Sequence, residues 1–140
     1  MVIPTLGGLG IFAGFILATL LNVPLNNPEF QYFVASAIVI FFLGIKDDIL
    51  VLSPAKKFIG QLVAAGIIIQ LGGVQITSMH GFLGIYELPP MVSVLFTMFT
   101  VVVITNSFNL IDGVDGLAGS LGLLTTIIFG SYFLYIGQLM

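Results

Sequence analysis

Four amide and carboxylate side chains fall within ten positions: Asn106, Asn109, Asp112 and Asp115, in the stretch NSFNLIDGVDG. Aspartate can act as a metal ligand, a base or an acceptor, and asparagine offers a neutral oxygen ligand or an amide donor. Asp112 and Asp115 would share one face of a helix, but Gly113 and Gly116, one after each, argue for a turn. A calcium loop of the EF-hand type is excluded. It needs acids at alternating positions and a glutamate at position 12, and position 12 counted from Asp112 is Leu123. A second cluster, Asp47-Asp48, sets two carboxylates side by side. Their repulsion is relieved by a divalent cation or a lysine neighbour, and Lys46, Lys56 and Lys57 are close in sequence. A solvated loop with one ordinary ion pair is the plainer alternative.

These groups stand out because the rest of the chain is apolar. Of 140 residues, 59% are hydrophobic and 6% charged, and the mean hydropathy is +1.23. Soluble domains carry about 25% charged residues, so this composition predicts an integral membrane protein. Three lysines without arginine exclude a basic nucleic-acid binder, and the absence of cysteine excludes a disulfide framework. A span takes roughly 20 apolar residues. The pattern predicts an all-α polytopic membrane bundle, one membrane-embedded region over 1–140. Its spans are expected at about 7–23, 31–45, 57–74, 91–106 and 117–137. The second and fourth are short, so their ends are expected near the membrane surface or in a protein-lined cavity. MVIPTLGG lacks the basic start and apolar run of a signal peptide and suggests a chain cut from something longer.

If every span crosses the bilayer, alternate loops share a side. IPTLGG, KDDILVLSPAKK and NSFNLIDGVDG then face one compartment, together with all three lysines, and positive charge marks the cytoplasm. Spans one, three and five begin there. Ser53-Pro54 suits an N-cap and first helical position, and helix N-termini favour phosphate oxygens. Ionisable residues at a membrane edge are functional candidates. Elsewhere, QITSMHGFLGIYELPP alternates around Gly81 as a small hairpin would. His80, Glu29 and Glu87 read as solvated loop residues, and Gly10 and Gly14 as a helix-packing pair.

In this order and spacing, IPTLGG, FLGIKDD…SPAKKFIGQ and NSFNLIDGVDGLAGS resemble the polyprenyl-phosphate N-acetylhexosamine-1-phosphate transferases, of glycosyltransferase family 4 type. The resemblance implies a larger fold of ten or eleven spans. It also implies transfer of a sugar 1-phosphate from a UDP-sugar to a polyprenyl phosphate, releasing UMP and using magnesium, with manganese as substitute. By motif, Asp47 and Asp48 match the family's acidic pair, proposed for metal, lipid-phosphate or proton handling. Asn109 matches a metal-diphosphate position, with Asn106 in the same motif. Asp112 and Asp115 match the nucleotide-sugar pocket and catalytic loop. Thr5, Gly7 and Gly8 match the first cytoplasmic motif, and Lys57 is placed to neutralise phosphate charge.

The closest resemblance is to the undecaprenyl-phosphate N-acetylglucosamine-1-phosphate transferases. The alternatives are the peptidoglycan-precursor transferase and, from another class, an ion- or proton-coupled transporter. Transport predicts acids near the bilayer midplane, whereas the transferase reading predicts that the two acidic clusters meet at one cytoplasmic edge. The expected location is the inner membrane, in cell-envelope polysaccharide synthesis, with UDP-sugar, polyprenyl phosphate and the bilayer as partners. A homodimer is the one protein assembly expected. The family's downstream Met-Gly-Asp-x-Gly-Ser and histidine motifs are absent from the 140 residues, so the polypeptide is expected to be an inactive internal fragment.

Overall fold

The computed structural model describes residues 6–23, 28–111 and 116–137. Its helices are α1 (Leu6–Asn22), α2 (Pro28–Leu50), α3 (Pro54–Gly66), α4 (Pro90–Ile111) and α5 (Leu117–Tyr135). There is no strand among the described residues, so the all-helical expectation holds. By length and composition α4 and α5 can each cross a membrane, and the apolar stretch Gly8–Asn22 of α1 is shorter. The chain divides into two compact units, Met1–Val102 and Val103–Met140.

Two helices outrun their apolar stretches. The helix over the second expected span, 31–45, continues to Leu50 and takes Lys46, Asp47 and Asp48 with it. The helix over the fourth, 91–106, continues to Ile111 and includes Asn106 and Asn109. Helical hydrogen bonds use only backbone groups, so a helix need not stop where lipid-compatible side chains do. The connection KDDILVLSPAKK therefore shrinks to Val51–Ser53.

In the first unit α2 and α3 form the packed centre. The buried Ser36 Oγ donates to the Ala64 carbonyl at 2.9 Å, tying the helices together at a point where both are small. Gly60 lets them approach closely, since a Cβ there would lie 2.7 Å from Leu43 Cδ1. Gly10 and Gly14, expected to be packing glycines, have open space where a Cβ would stand. Instead α1 meets α2 through Phe12 and Phe41, stacked with ring centroids 3.8 Å apart.

After α3 the backbone widens into a π-turn, Ile67–Leu71, closed by Gly72 N–H donating to the Ile67 carbonyl. An extended run follows, gripped at Ile76 by α4. Thr97 Oγ1 accepts from the Ile76 N–H at 2.9 Å, and Ser93 Oγ donates to the Ile76 carbonyl at 2.8 Å. The expected hairpin is present: Ser78 and Glu87 form an antiparallel bridge, flanked by Met79 N–H to Tyr86 O and Leu88 N–H to Thr77 O. In the second unit, α5 buries none of its residues.

Candidate functional site

Adjacent residues on a helix point about 100° apart, and this separates the two aspartates at the end of α2. Asp47 turns toward the start of α3. Its Oδ2 lies 2.5 Å from Lys57 Nζ, and its Oδ1 accepts the Leu52 N–H at 2.9 Å. Its backbone carbonyl also accepts the Val51 N–H. The carboxylate thus laces the turn from α2 into α3, where Val51 adopts a left-handed φ of 43°. That conformation is unusual for a β-branched residue. Asp47 lies beyond the apolar stretch 31–45. The bond from Lys57 and then the Leu52 N–H hold its carboxyl below the usual carboxylate range.

Asp48 faces elsewhere. It lines an open hollow of about 190 Å³ between the start of α1 and the end of α2, with Gly8, Leu9, Phe41, Gly44 and Ile45. Among the described residues its carboxylate has no ion pair or hydrogen bond. Phe41, Gly44, Ile45 and Asp48 follow the i, i+3, i+4, i+7 spacing of one helix face. The hollow is therefore apolar along its wall and anionic at one end. Gly8 leaves the approach open, with nothing within 4 Å of where its Cβ would stand.

The start of α3 has Ser53 at the N-cap with extended backbone (φ −63°, ψ 147°) and Pro54 in the first helical positions. The hydroxyl makes no capping bond. Ser53 contributes its carbonyl instead, accepting from the Lys56 and Lys57 N–H groups at 3.0 and 3.2 Å. Lys46 and Lys56 are exposed.

The structure thus brings Gly8 and Asp48 to one hollow and Asp47 and Lys57 to one ion pair, at the same end of the first unit. Gly7 lies in the first turn of α1. Asn106 and Asn109 sit one turn apart near the end of α4, in the second unit, and both are exposed. Thr5, Asp112 and Asp115 lie outside the described residues; Gly116, at φ 75°, begins α5 from the turn its motif predicts. The Leu52 N–H on Asp47 is a backbone contact that no residue type announces.

No group of three or more His, Asp or Glu side chains that could hold a metal ion occurs among the described residues. Magnesium needs less, since it keeps several waters and is commonly bound by one or two carboxylates plus substrate phosphates. Asp48 fits that mode as one open carboxylate. Asp47, already engaged by a lysine and a backbone N–H, fits it less well.

A family model described as glycosyl transferase family 4 matches residues 30–140, from the first turn of α2 through α5. No curated protein and no solved structure matches.

Proposed function

This chain belongs to glycosyl transferase family 4, and we propose that it serves transfer of N-acetylglucosamine 1-phosphate from UDP-N-acetylglucosamine to undecaprenyl phosphate, releasing UMP. The observation that carries the reading within this fold is the division of the acidic pair. Asp47 is neutralised by Lys57, while Asp48 stays open beside Gly8 in a hollow with an apolar wall. With a divalent cation held by Asp48, that combination would suit a ligand with a phosphate head and a hydrocarbon tail.

In the proposed reaction an oxygen of the lipid phosphate attacks the sugar-linked phosphorus of the diphosphate. The new O–P bond forms as the bond to the bridging oxygen breaks, and UMP departs with that oxygen. A phosphate monoester has a second pKa near 6, so most of the nucleophile is ionised at neutral pH and no strong base is required. The residues' work is to position two anions and offset their repulsion. Asp48 would hold the divalent cation near the polar head, Lys57 adds positive charge and holds Asp47 in place, and Gly8 leaves room for the approach. Magnesium, or manganese in its stead, supplies charge neutralisation on the phosphates. Asn109, Asp112 and Asp115 are assigned to nucleotide-sugar binding by their motif, with Asn106 and Thr5 as further contacts.

Five bilayer crossings are part of the same proposal, with the α2–α3 corner on the cytoplasmic side because Lys46, Lys56 and Lys57 cluster there. The test uses the full-length reading frame that contains these residues, expressed in membranes, with labelled UDP-N-acetylglucosamine and undecaprenyl phosphate. Magnesium-dependent UMP release matched by label in the lipid supports it. A covalently phosphorylated protein formed with UDP-sugar alone would instead show attack by an aspartate. Lipid labelling only from another UDP-sugar would replace the assigned substrate.

A further inference from the structure

The geometry points to the hairpin between the π-turn and α4 as a membrane-surface anchor, with its tip seated in the headgroup layer of the lipid bilayer. The tip is apolar and outward-facing: Phe82 is 64% exposed, Leu83 82% and Tyr86 69%. Water is a poor environment for three such side chains within five residues, and no described element covers them. Leu83 also takes a left-handed backbone, φ 53°, where glycine or asparagine would be less strained. An apolar residue is held outward at a position whose backbone does not favour it.

The hairpin is braced to hold this presentation. Ser78 and Glu87 are bridged, Ser78 Oγ donates to Tyr86 O at 2.6 Å, and Gly81 N–H donates to Ile85 O at 3.0 Å. Its base is fastened to the side of α4 rather than beyond its end. Ile76 bonds to Ser93 and Thr97, three and seven residues into the helix. At 1.5 Å per residue these points lie roughly 5 and 10 Å below the helix start. α4 has 22 residues and is about 33 Å long, against a hydrocarbon core of about 30 Å. Its apolar stretch begins at 91, so Pro90 stands near one boundary of that core. Tyr86 precedes Pro90 by four residues and lies at most about 13 Å from it. The tip is confined to the neighbourhood of the headgroups.

The chemistry selects a lipid surface without selecting its charge. Residues 72–90 contain no lysine or arginine, with Glu87 as the one acid and His80 as the one histidine. Apolar and aromatic side chains at the water boundary, as in aromatic belts, supply the attachment. Insertion is accordingly expected to the same depth in neutral and anionic bilayers.

The chain has no tryptophan and no cysteine, so single reporters are unambiguous. Phe82→Trp is to be placed in the full chain and reconstituted into phosphatidylcholine vesicles, and into vesicles with one-third phosphatidylglycerol. Blue-shifted emission is expected, with quenching by shallow spin-labelled lipids exceeding that by aqueous iodide, alike in both vesicles. Leu83→Cys carrying a spin label gives an independent reading and is expected to be more accessible to oxygen than to a water-soluble nickel complex. A tip open to both aqueous probes overturns the inference. So does a tip shielded from aqueous and lipid probes alike, which would mean a protein covers it. The outcome is independent of which sugar, if any, is transferred.

Discussion

Replacing Asp48 by asparagine keeps the side chain's size and removes its charge, and no described contact depends on that charge. The effect should fall on the reaction rather than the fold. Asp48 would act through the cation it holds, and losing one element of transition-state charge stabilisation costs about 10²–10³-fold in turnover, the fall expected for Asp48→Asn. Asp47→Asn weakens the hold on Lys57 and the Leu52 N–H, so its effect passes through other groups. Changes that act by orienting a functional residue cost about 10–100-fold, the smaller range expected here. Because Asp47 and Lys57 form one pair, Asp47→Asn combined with Lys57→Met should be little worse than the poorer single variant. Asp48→Asn with Lys57→Met should approach the product of the single losses. UMP release by the reading frame in membranes, measured across a magnesium titration, reads all five variants. Asp48→Asn should raise the magnesium needed for half-maximal rate more than Asp47→Asn does. An Asp47→Asn protein at least as impaired as Asp48→Asn, together with multiplicative Asp47 and Lys57 losses, would refute the division of roles.

Acid should loosen the α2–α3 corner through Asp47. Its folded pKa is lowered, chiefly by the Lys57 bond and then by the Leu52 N–H. Its contribution is thus complete above the unfolded value of about 3.9 and is lost as pH falls through the folded value. Thermal unfolding in detergent over that acid range should show a steeper loss for the parent than for Asp47→Asn, and parallel curves would refute the assignment. Thr97→Val keeps the side chain's shape but leaves the Ile76 N–H without its acceptor. It should cost about 1–3 kcal/mol in denaturant unfolding and speed amide exchange at Ile76, whereas Thr97→Ser should lose less.

Hydropathy made the helices legible, but two of them run past the apolar stretches it marks. It reports which side chains tolerate lipid, while the helix depends on backbone bonds, so Lys46 to Asp48 and Asn106 to Asn109 read as connections although α2 and α4 carry them. The Asp48 face had a signal of its own. A carboxylate extends the stripe Phe41, Gly44, Ile45 at helical spacing, and an acid at the end of an apolar face marks a boundary. Packing was harder to read. Small residues four apart made Gly10 and Gly14 the natural contact, yet the close approach is at Gly60 against Leu43, because only a partner's position decides which glycine is needed. The π-turn at Ile67–Leu71 and the clamp on Ile76 depend on neighbours distant in sequence, which local pattern does not encode.

The acidic doublet gains its meaning from charge as much as position. The proposed reaction brings two phosphates together, and two open carboxylates would add a further pair of negative charges to a place that must attract anions. The two carboxylates alone carry −2, and placing Lys57 against Asp47 brings the local sum to −1 without removing either acid. The same lysine cannot then be counted as a fully free phosphate ligand, so its share in binding must come through the positive potential it leaves around the pair. Adjacent positions on a helix suit this arrangement because their 100° divergence gives each carboxylate a different neighbour. Separation along the helix by three or four residues would set both acids on one face and oblige them to share a partner.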